Sequence, residues 1–251
     1  MIRGDWITAA FMPNMIDSLK NGLMPAELLD ELGPFSLVAH EEHVAFLDRP
    51  GTYEVFGNRF AAAPGLYHPH PWSSSVFILR TLLREQPTLG RLLEIGCGTG
   101  AVGLSLLAHG LADALVLSDL APEAVRVAQH NAEQLGLAGR VAVRQGSLFE
   151  PVPGERFDSL IFNLPLMHAA HPGGTHPALD DTAGRLAQDF FAQAAAYLSP
   201  GGKAYFTYSN ISSPGLLQSF ADTVELELLA AEWVVKSGFW LLLYRFGPPA
   251  S

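Results

Sequence analysis

A glycine-rich turn followed by an acidic residue is the clearest chemical signal in this chain. Arg91–Ile95 predicts a strand that leads directly into Gly96, Gly98 and Gly100, and Asp119 ends the next predicted strand. Glycines let the backbone turn tightly and approach a ligand closely, and an acid about 20 residues later can bind ribose hydroxyls. The pattern therefore predicts a nucleoside-binding site.

Two classes of nucleoside fit this turn. Gly96, Gly98 and Ala101 also satisfy the dinucleotide fingerprint, so NAD is one of them. Glu94, two residues before the first glycine, favours a cationic ligand over a pyrophosphate because opposite charges attract. We therefore expect a cationic nucleoside. We expect Cys97 to serve as a small loop residue rather than as a nucleophile.

A second polar position follows another predicted strand. Phe157–Phe162 leads into Asn163, Leu164, Pro165 and Leu166. The side-chain carbonyl of Asn163 and a backbone carbonyl can accept the hydrogens of a target nitrogen and so aim its lone pair. The same asparagine could instead form the turn that ends a buried strand.

Histidines and aromatic residues flank these motifs. His70 precedes the first core helix and His168 follows the Asn163 tetrapeptide, and a histidine with its ordinary pKa of ~6.5 can act as a general base. Tyr67 and Trp72 could face a cation or pack beneath the N-terminal helices. The histidine spacings match no metal site, so we predict no metal.

Regular strands and helices must position these residues. From residue 91 onward, strands alternate with helices of about 10–15 residues, which predicts right-handed βαβ units and a parallel sheet. Only Lys236-Ser237-Gly238 separates the last two strands, so they must pair antiparallel. We predict an α/β fold with a Rossmann-like, doubly wound, seven-stranded sheet whose final strand pair is antiparallel. Such folds bind ligands at the carboxyl edge of the sheet.

The N-terminal part of the chain has a different pattern. Residues 13–33 predict two short helices, and residues 43–62 predict a β-hairpin whose strands His43–Leu47 and Thr52–Phe56 flank a Pro-Gly turn. Gly57-Asn58 could form a second turn into residues 59–61. We predict that residues 1–72 form a lid or cap and that residues 73–251 bind the nucleoside. The short helices could close over the site or form a dimer interface.

On these motifs the chain resembles the class I S-adenosylmethionine-dependent methyltransferases, over about residues 50–246. Leu93–Gly100 is similar to their first motif and Asp119 to the acid that binds ribose, and Gly146–Phe149 lies where the family holds the adenine. The resemblance implies S-adenosyl-L-methionine as the cofactor. The predicted cofactor-binding residues are Glu94, Gly96, Cys97, Gly98, Thr99, Gly100, Asp119, Leu120, Ser147, Leu148, Asn163 and Pro165.

The second motif also carries a resemblance. Asn163–Leu166 is similar to the Asn-Pro-Pro-Tyr motif of methyltransferases that act on planar nitrogens, and Gly57–Phe60 is similar to a segment of the release-factor glutamine methyltransferases. Leu166 replaces the aromatic residue that stacks on a flat substrate, so we expect a smaller aliphatic amine. The predicted catalytic residues are Asn163, Tyr67 and Trp72, and the predicted substrate-binding residues are His70, Leu166 and His168.

Composition limits the partners and the compartment. The 251 residues include 15 Lys and Arg against 25 Asp and Glu, a net charge of −10, which argues against nucleic acid as a substrate. The 49% of hydrophobic residues predicts a packed core, and the single cysteine fits a reducing compartment. No stretch approaches the ~18–20 apolar residues of a membrane span, and no signal peptide is evident. We expect a cytoplasmic monomer or homodimer with no membrane partner.

Three functions remain open at this point. The predicted one is an S-adenosylmethionine-dependent enzyme of small-molecule or secondary metabolism that methylates the nitrogen of a small-molecule or peptide amine by in-line displacement. The second is cyclisation of the cofactor itself to azetidine-2-carboxylate with release of methylthioadenosine, which leaves nothing else methylated. The third is a cofactor-binding subunit without catalysis.

Overall fold

The computed structural model describes residues 44–70, 73–167, 176, 179–234 and 239–248. Three predictions therefore lie outside the described residues: the helices at 13–33, Trp72 and His168. Among the helices that the structure describes, none has the length and apolar character needed to cross a bilayer.

The part of the chain that the structure describes contains nine strands in two sheets. β1 (Gly51–Val55) and β2 (Asn58–Ala62) pair antiparallel as a separate hairpin. The other strands form one sheet in the order β5-β4-β3-β6-β7-β9-β8. Their bounds are β3 (Gly90–Ile95), β4 (Ala112–Asp119), β5 (Val141–Gln145), β6 (Phe157–Phe162), β7 (Leu198–Tyr208), β8 (Leu226–Val234) and β9 (Phe239–Phe246).

Five helices of eight or more residues are described. They are α1 (Ser74–Glu85), α2 (Ala101–Ala108), α3 (Pro122–Gln134), α4 (Arg185–Gln193) and α5 (Pro214–Ala221). Residues of α1 and α2 belong to one hydrophobic cluster and those of α4 and α5 to another, each with strand residues of the central sheet. This is the layering expected of a doubly wound fold.

The sheet confirms the predicted topology. β3, β4, β5, β6 and β7 are parallel to one another, and β9 pairs antiparallel with β8. β9 also pairs antiparallel with β7, so it lies between β7 and β8. Because β9 runs against β7, its first residues lie at the carboxyl edge of the sheet, where Tyr208 is opposite Leu242.

The hairpin forms at the second predicted turn and not at the first, since it pairs the predicted strand at 52–56 with the segment that follows Gly57. Residues 44–47 are helical rather than extended, and the turn is formed by Phe56 and Gly57 instead of the Pro-Gly sequence. Both turn residues have positive φ, 46° and 77°, which the two-residue turns of tight hairpins require. Phenylalanine seldom adopts this conformation, so the local sequence favours the wrong turn.

Candidate functional site

A cavity of about 510 Å³ opens at the carboxyl edge of the sheet. It is lined by residues at or after the ends of β3, β4, β5, β6 and β7, together with residues 65–67, 70, 73 and 74 before and at the start of α1. The cavity brings together most of the predicted site residues. Those that line it are Tyr67, His70, Gly96, Gly98, Asp119, Leu120, Ser147, Leu148, Asn163, Pro165 and Leu166.

Four predicted cofactor-binding residues do not line the cavity. Glu94, Cys97 and Thr99 are buried, with 2%, 6% and 1% of their surface exposed, and Gly100 begins α2 behind them. The structure therefore gives these residues a supporting position, and their direct contact with a cofactor stays a prediction. Burial also raises the pKa of the Cys97 thiol, which disfavours the reactive thiolate.

The glycine turn passes very close to the segment that precedes α1. Gly96 and Gly98 have φ of 62° and 54°. An added Cβ on Gly98 would lie 2.8 Å from the carbonyl oxygen of Tyr67. Only a residue without a side chain permits both this backbone conformation and this close approach. The two glycines thus leave the wall of the cavity free of side-chain atoms at this point.

We expect Gly98→Ala to weaken cofactor binding at least about tenfold and to destabilise the fold by about 2 kcal/mol, through positive-φ strain and the contact with Tyr67. Calorimetric titration and urea unfolding measure the two effects. Gly110→Ala is the matched control, since Gly110 has a φ of 78° but no described atom within 4 Å of an added Cβ. Equal cofactor affinity in Gly98→Ala and Gly110→Ala would contradict the prediction.

Asp119 connects the glycine turn to the next loop. Its Oδ2 accepts a hydrogen bond from the Gly98 backbone N–H at 2.8 Å, and its Oδ1 accepts one from Ala121 N–H at 2.9 Å. Each carboxylate oxygen can accept more than one hydrogen bond, so ribose hydroxyls can still donate to it. Beside it, Leu120 has 67% of its surface exposed. An acid next to an exposed apolar side chain suits the sugar and base of a nucleoside.

The loop after β5 completes this half of the cavity. Gly146 has a φ of 154°, and an added Cβ would lie 2.6 Å from Cγ of Pro151. The Ser147 N–H donates to Oε2 of Glu150 at 3.0 Å, and Leu148 has a positive φ of 46°. Strained backbone at a non-glycine residue often marks a functional position. This loop therefore has a defined shape where the adenine is expected.

The carboxyl group of Glu94 points into the protein rather than into the cavity. Its Oε2 accepts a hydrogen bond from the Gly103 N–H in α2 at 2.7 Å. Burial raises the pKa of Glu94 to about 8, the nearby Asp119 adds to the rise and the Gly103 hydrogen bond opposes it. The expected contact between Glu94 and a cationic ligand stays a prediction, since the structure shows the acid joining β3 to α2.

The side chain of Asn163 is held from two sides at the end of β6. Its Nδ2 donates to Oγ of Ser75 in α1 at 3.1 Å, and its Oδ1 accepts from the hydroxyl of Thr207 in β7 at 2.9 Å. These two bonds set the plane of the amide, and Oδ1 keeps the capacity to accept a further hydrogen bond. A fixed amide on a cavity can position a nitrogen that carries hydrogens.

Sequence reasoning did not identify Ser75 or Thr207 as partners of Asn163. Ser73 caps α1, because its Oγ accepts from the Val76 N–H, whereas Ser75 in the first turn contacts Asn163. Thr207 stands as a polar residue in an otherwise apolar run, which is the one sequence signal that could have indicated a hydrogen-bonding role. In the structure its side chain is fully buried.

Tyr67 and His70, from the segment before α1, line the cavity. The Tyr67 hydroxyl lies 3.0 Å from Oγ of Ser74, and the His70 ring meets the Phe46 ring edge-on at 5.2 Å. His68 is buried against Phe46 with Nδ1 2.9 Å from the Leu66 carbonyl oxygen, and burial lowers the pKa of His68. His70 therefore lines the cavity, whereas His68 is a packing residue.

The hairpin is attached to the glycine turn through Thr99. The Tyr53 hydroxyl lies 2.5 Å from Oγ1 of Thr99. Asn131 in α3 is fully buried, and its Nδ2 donates to the Thr99 carbonyl at 2.9 Å and to the Ala61 carbonyl at 3.1 Å. Its Oδ1 accepts from the Ala61 N–H at 2.8 Å. The Asn131 side chain thus binds both β2 and the glycine turn. No local sequence pattern indicates this role.

Asn131→Leu should lower the free energy of unfolding by about 3 kcal/mol, because it leaves the buried Thr99 carbonyl and the two half-buried backbone groups of Ala61 without this partner. Urea unfolding tests this. Gln134→Ala is the control: it removes the exposed bond from Gln134 Nε2 to the Arg59 carbonyl, on the same helix and hairpin, and should cost under about 1 kcal/mol. A loss for Asn131→Leu no greater than for the control would show that the Asn131 bonds do not hold the hairpin.

Comparisons with known proteins agree with this geometry. The profile of the methyltransferase small domain family matches residues 58–235. Release factor glutamine methyltransferase of Geobacter sulfurreducens is 31% identical over 192 residues, which cover 72% of this chain and 65% of that protein. The chain thus spans under two thirds of that relative's length.

Solved structures share the fold. A tRNA methyltransferase of M. jannaschii superposes with a TM-score of 0.59 and 14% identity, covering 80% of this chain and 57% of that one. Trm5 of Methanocaldococcus jannaschii in complex with adenosine superposes with a TM-score of 0.60 and 14% identity, at the same coverage. At this identity the likeness extends to the fold alone.

The comparisons correct the expected partners. The expectation of a small-molecule amine, or no partner beyond the cofactor, and of no nucleic acid is wrong. The relative's name states a protein substrate, and the proteins of the same fold include a tRNA methyltransferase. A net charge of −10 sums over the whole chain and does not describe the surface around one cavity, and the loss of one aromatic residue does not set the size of the acceptor.

Proposed function

Because the chain belongs to the methyltransferase small domain family, we propose that it transfers a methyl group from S-adenosylmethionine to the carboxamide nitrogen of a glutamine side chain in a protein. The observation that carries the proposal is the amide of Asn163, which lies on the cavity and is oriented by Ser75 and Thr207. Similarity to release factor glutamine methyltransferase supports glutamine as the acceptor.

Family membership confirms the predicted relationship to the class I methyltransferases, the enzyme class and S-adenosylmethionine as the cofactor. The residues present fit this group: Gly96 and Gly98 provide a wall without side chains, and Asp119 provides acceptors for sugar hydroxyls. When bound, the cofactor supplies an electrophilic methyl group on a sulfonium. Cofactor cyclisation and a non-catalytic role gain no support from the relatives.

Methyl transfer to a carboxamide nitrogen depends strongly on how that nitrogen is positioned. A carboxamide nitrogen is a weak nucleophile, because its lone pair is delocalised into the carbonyl. Oδ1 of Asn163 accepts one N–H of this nitrogen, and a backbone carbonyl of the tetrapeptide accepts the other, so the lone pair is held toward the methyl group. As the new N–C bond forms, the nitrogen must lose a proton. His70 lines the cavity and is our candidate to accept it.

Mass spectrometry tests the proposal. The full chain is incubated with S-adenosylmethionine and matched peptides that carry glutamine, asparagine or lysine at one position, and with a release factor. We expect one added methylene on the glutamine of a peptide or of the protein, with an equal amount of S-adenosylhomocysteine. Methylation of lysine or asparagine alone, or methylthioadenosine without an acceptor, would overturn it.

A further inference from the structure

The cavity has two halves of different chemistry. The half at the ends of β3, β4 and β5 contains the glycines, Asp119 and Ser147, which suit a nucleoside. Asn163 follows β6, the next strand of the sheet, and lies between the halves. The other half is aliphatic, and we call it the chamber. It is formed by Leu166, Met167, Leu179, Leu186, Ile211 and Leu241.

The chamber presents apolar surface that the fold itself does not fully cover. Leu179 and Leu241 are buried, whereas Leu166, Met167 and Ile211 are only half-buried. His176 is a polar residue between Met167 and Leu179 that also lines the cavity. Among the described residues of this half, none is an acid, a lysine or an arginine. An apolar concavity with few polar groups is the usual form of a binding site for an apolar ligand group.

Hydrogen bonds hold the walls of the chamber in place. The Ser212 hydroxyl donates to the Leu166 carbonyl at 2.8 Å, and the Met167 N–H donates to the Leu179 carbonyl at 3.0 Å. The carboxylate of Asp181 accepts from the Leu186 N–H at 2.9 Å. These bonds join the tetrapeptide, the following loop and the start of α4.

A hydrogen bond also holds the wall of the chamber that Ile211 and Leu241 form. Oδ1 of Asn210 accepts from the Trp240 N–H at 2.7 Å, which joins the loop that carries Ile211 to the strand that carries Leu241. Among the described residues, the walls of the chamber are therefore hydrogen-bonded to one another, which makes it a preformed recess. A preformed recess binds its ligand without the cost of ordering its own walls.

The position of Asn163 beside the chamber indicates which group binds in the chamber. The nucleoside takes the glycine-lined half, and the acceptor nitrogen must meet Asn163. A group that reaches the chamber must therefore belong to the acceptor and lie close to its glutamine. In an extended peptide, side chains two residues apart point to the same side, so a neighbouring side chain can enter with the glutamine.

We infer that the acceptor segment carries a large aliphatic side chain within two residues of the methylated glutamine, and that this side chain binds in the chamber. This inference rests on the proposed function. It assigns the chamber to recognition of the acceptor sequence, beside the amide that holds the reacting nitrogen.

A peptide series tests the inference. A glutamine flanked by two glycines on each side is compared with four peptides that carry leucine in place of one glycine, at each flanking position in turn. We expect leucine at one position to lower KM roughly tenfold or more, since burial of a side chain of this size gives discrimination of that order. Methylation of all five peptides with equal KM would overturn the inference alone. Methylation of the release factor but of none of the five peptides would also overturn the inference alone, whereas methylation of neither would overturn the proposed function and the inference with it.

Variants connect the preference to the chamber. Ile211→Trp fills the recess, and we expect the KM values of the leucine and glycine peptides to converge. Ile211→Val is the matched control and should keep the preference. Met167→Trp provides a second filled chamber should Ile211→Trp fail to fold, as judged by its melting temperature. A preference that survives in the folded filled variant would show that the side chain binds elsewhere.

Discussion

Asn163→Ala is expected to lower kcat for methylation of a glutamine peptide by about 10²–10³-fold, while the Kd for S-adenosylmethionine changes by less than about threefold. The amide lies between Ser75 and Thr207 on the cavity, and its loss removes the group that holds the nitrogen in line. Single-turnover rates and calorimetric titration measure the two quantities. Cofactor binding that falls as far as kcat would show that Asn163 serves the cofactor rather than the acceptor.

Variants of Thr207 distinguish the effect on kcat of the orientation of the Asn163 amide from the effect of its presence. Thr207→Val keeps the shape of the side chain and removes the hydroxyl that donates to Oδ1 of Asn163. We expect a loss of about tenfold in kcat, because the amide stays but its plane is no longer set. Thr207→Ser restores the hydroxyl and should recover most of the rate. No difference between these two variants would exclude a positioning role.

Glu94→Gln is expected to change how stability depends on pH. Burial raises the pKa of Glu94 in the folded protein to about 8, against 4.5 for the ordinary carboxyl group. The folded state therefore favours the protonated acid. The stabilisation that this proton gives the folded protein is fully present below about pH 4.5 and is lost as the pH rises through about 8. At ~1.4 kcal/mol per unit of pKa difference, it amounts to at most about 5 kcal/mol.

Glutamine keeps a carbonyl oxygen for the Gly103 N–H and never ionises. The variant should therefore match the wild type near pH 5 and exceed it in melting temperature near pH 9. Glu123→Gln is the control, because Glu123 is paired with Arg126 at the surface and the pKa of Glu123 is lowered rather than raised. A wild-type stability that is flat between pH 5 and 9 would contradict the assignment of a buried neutral acid.

The sequence by itself determined the central sheet, and it predicted residues that the structure brings together on one cavity. Alternating strands and helices, a three-residue final connection and a glycine turn after a strand are local patterns, and each has few structural solutions. Gly98 and Asp119 lie together on the cavity as predicted, because both follow adjacent parallel strands at the same edge. Net charge, by contrast, did not predict the class of partner.

Local patterns failed where packing opposed them. The Pro-Gly sequence is the better turn signal, yet the hairpin turns at Phe56 and Gly57. With this register Phe60 is fully buried and stacks against Tyr53 at 5.6 Å, and Tyr53 reaches Thr99. Burial of these rings outweighs the strain of one phenylalanine with positive φ, and no short window of sequence contains that comparison.

Only the tertiary structure decided which side chains act together. Asn163 meets Ser75 across 88 residues of chain and Thr207 across 44, and Asn131 meets Ala61 across 70. A serine or an asparagine has many possible partners of equal local energy, and the folded sheet brings just one set within hydrogen-bond distance. The direction of Glu94 and the aliphatic chamber depend on the same long-range packing, so composition and spacing could not reveal them.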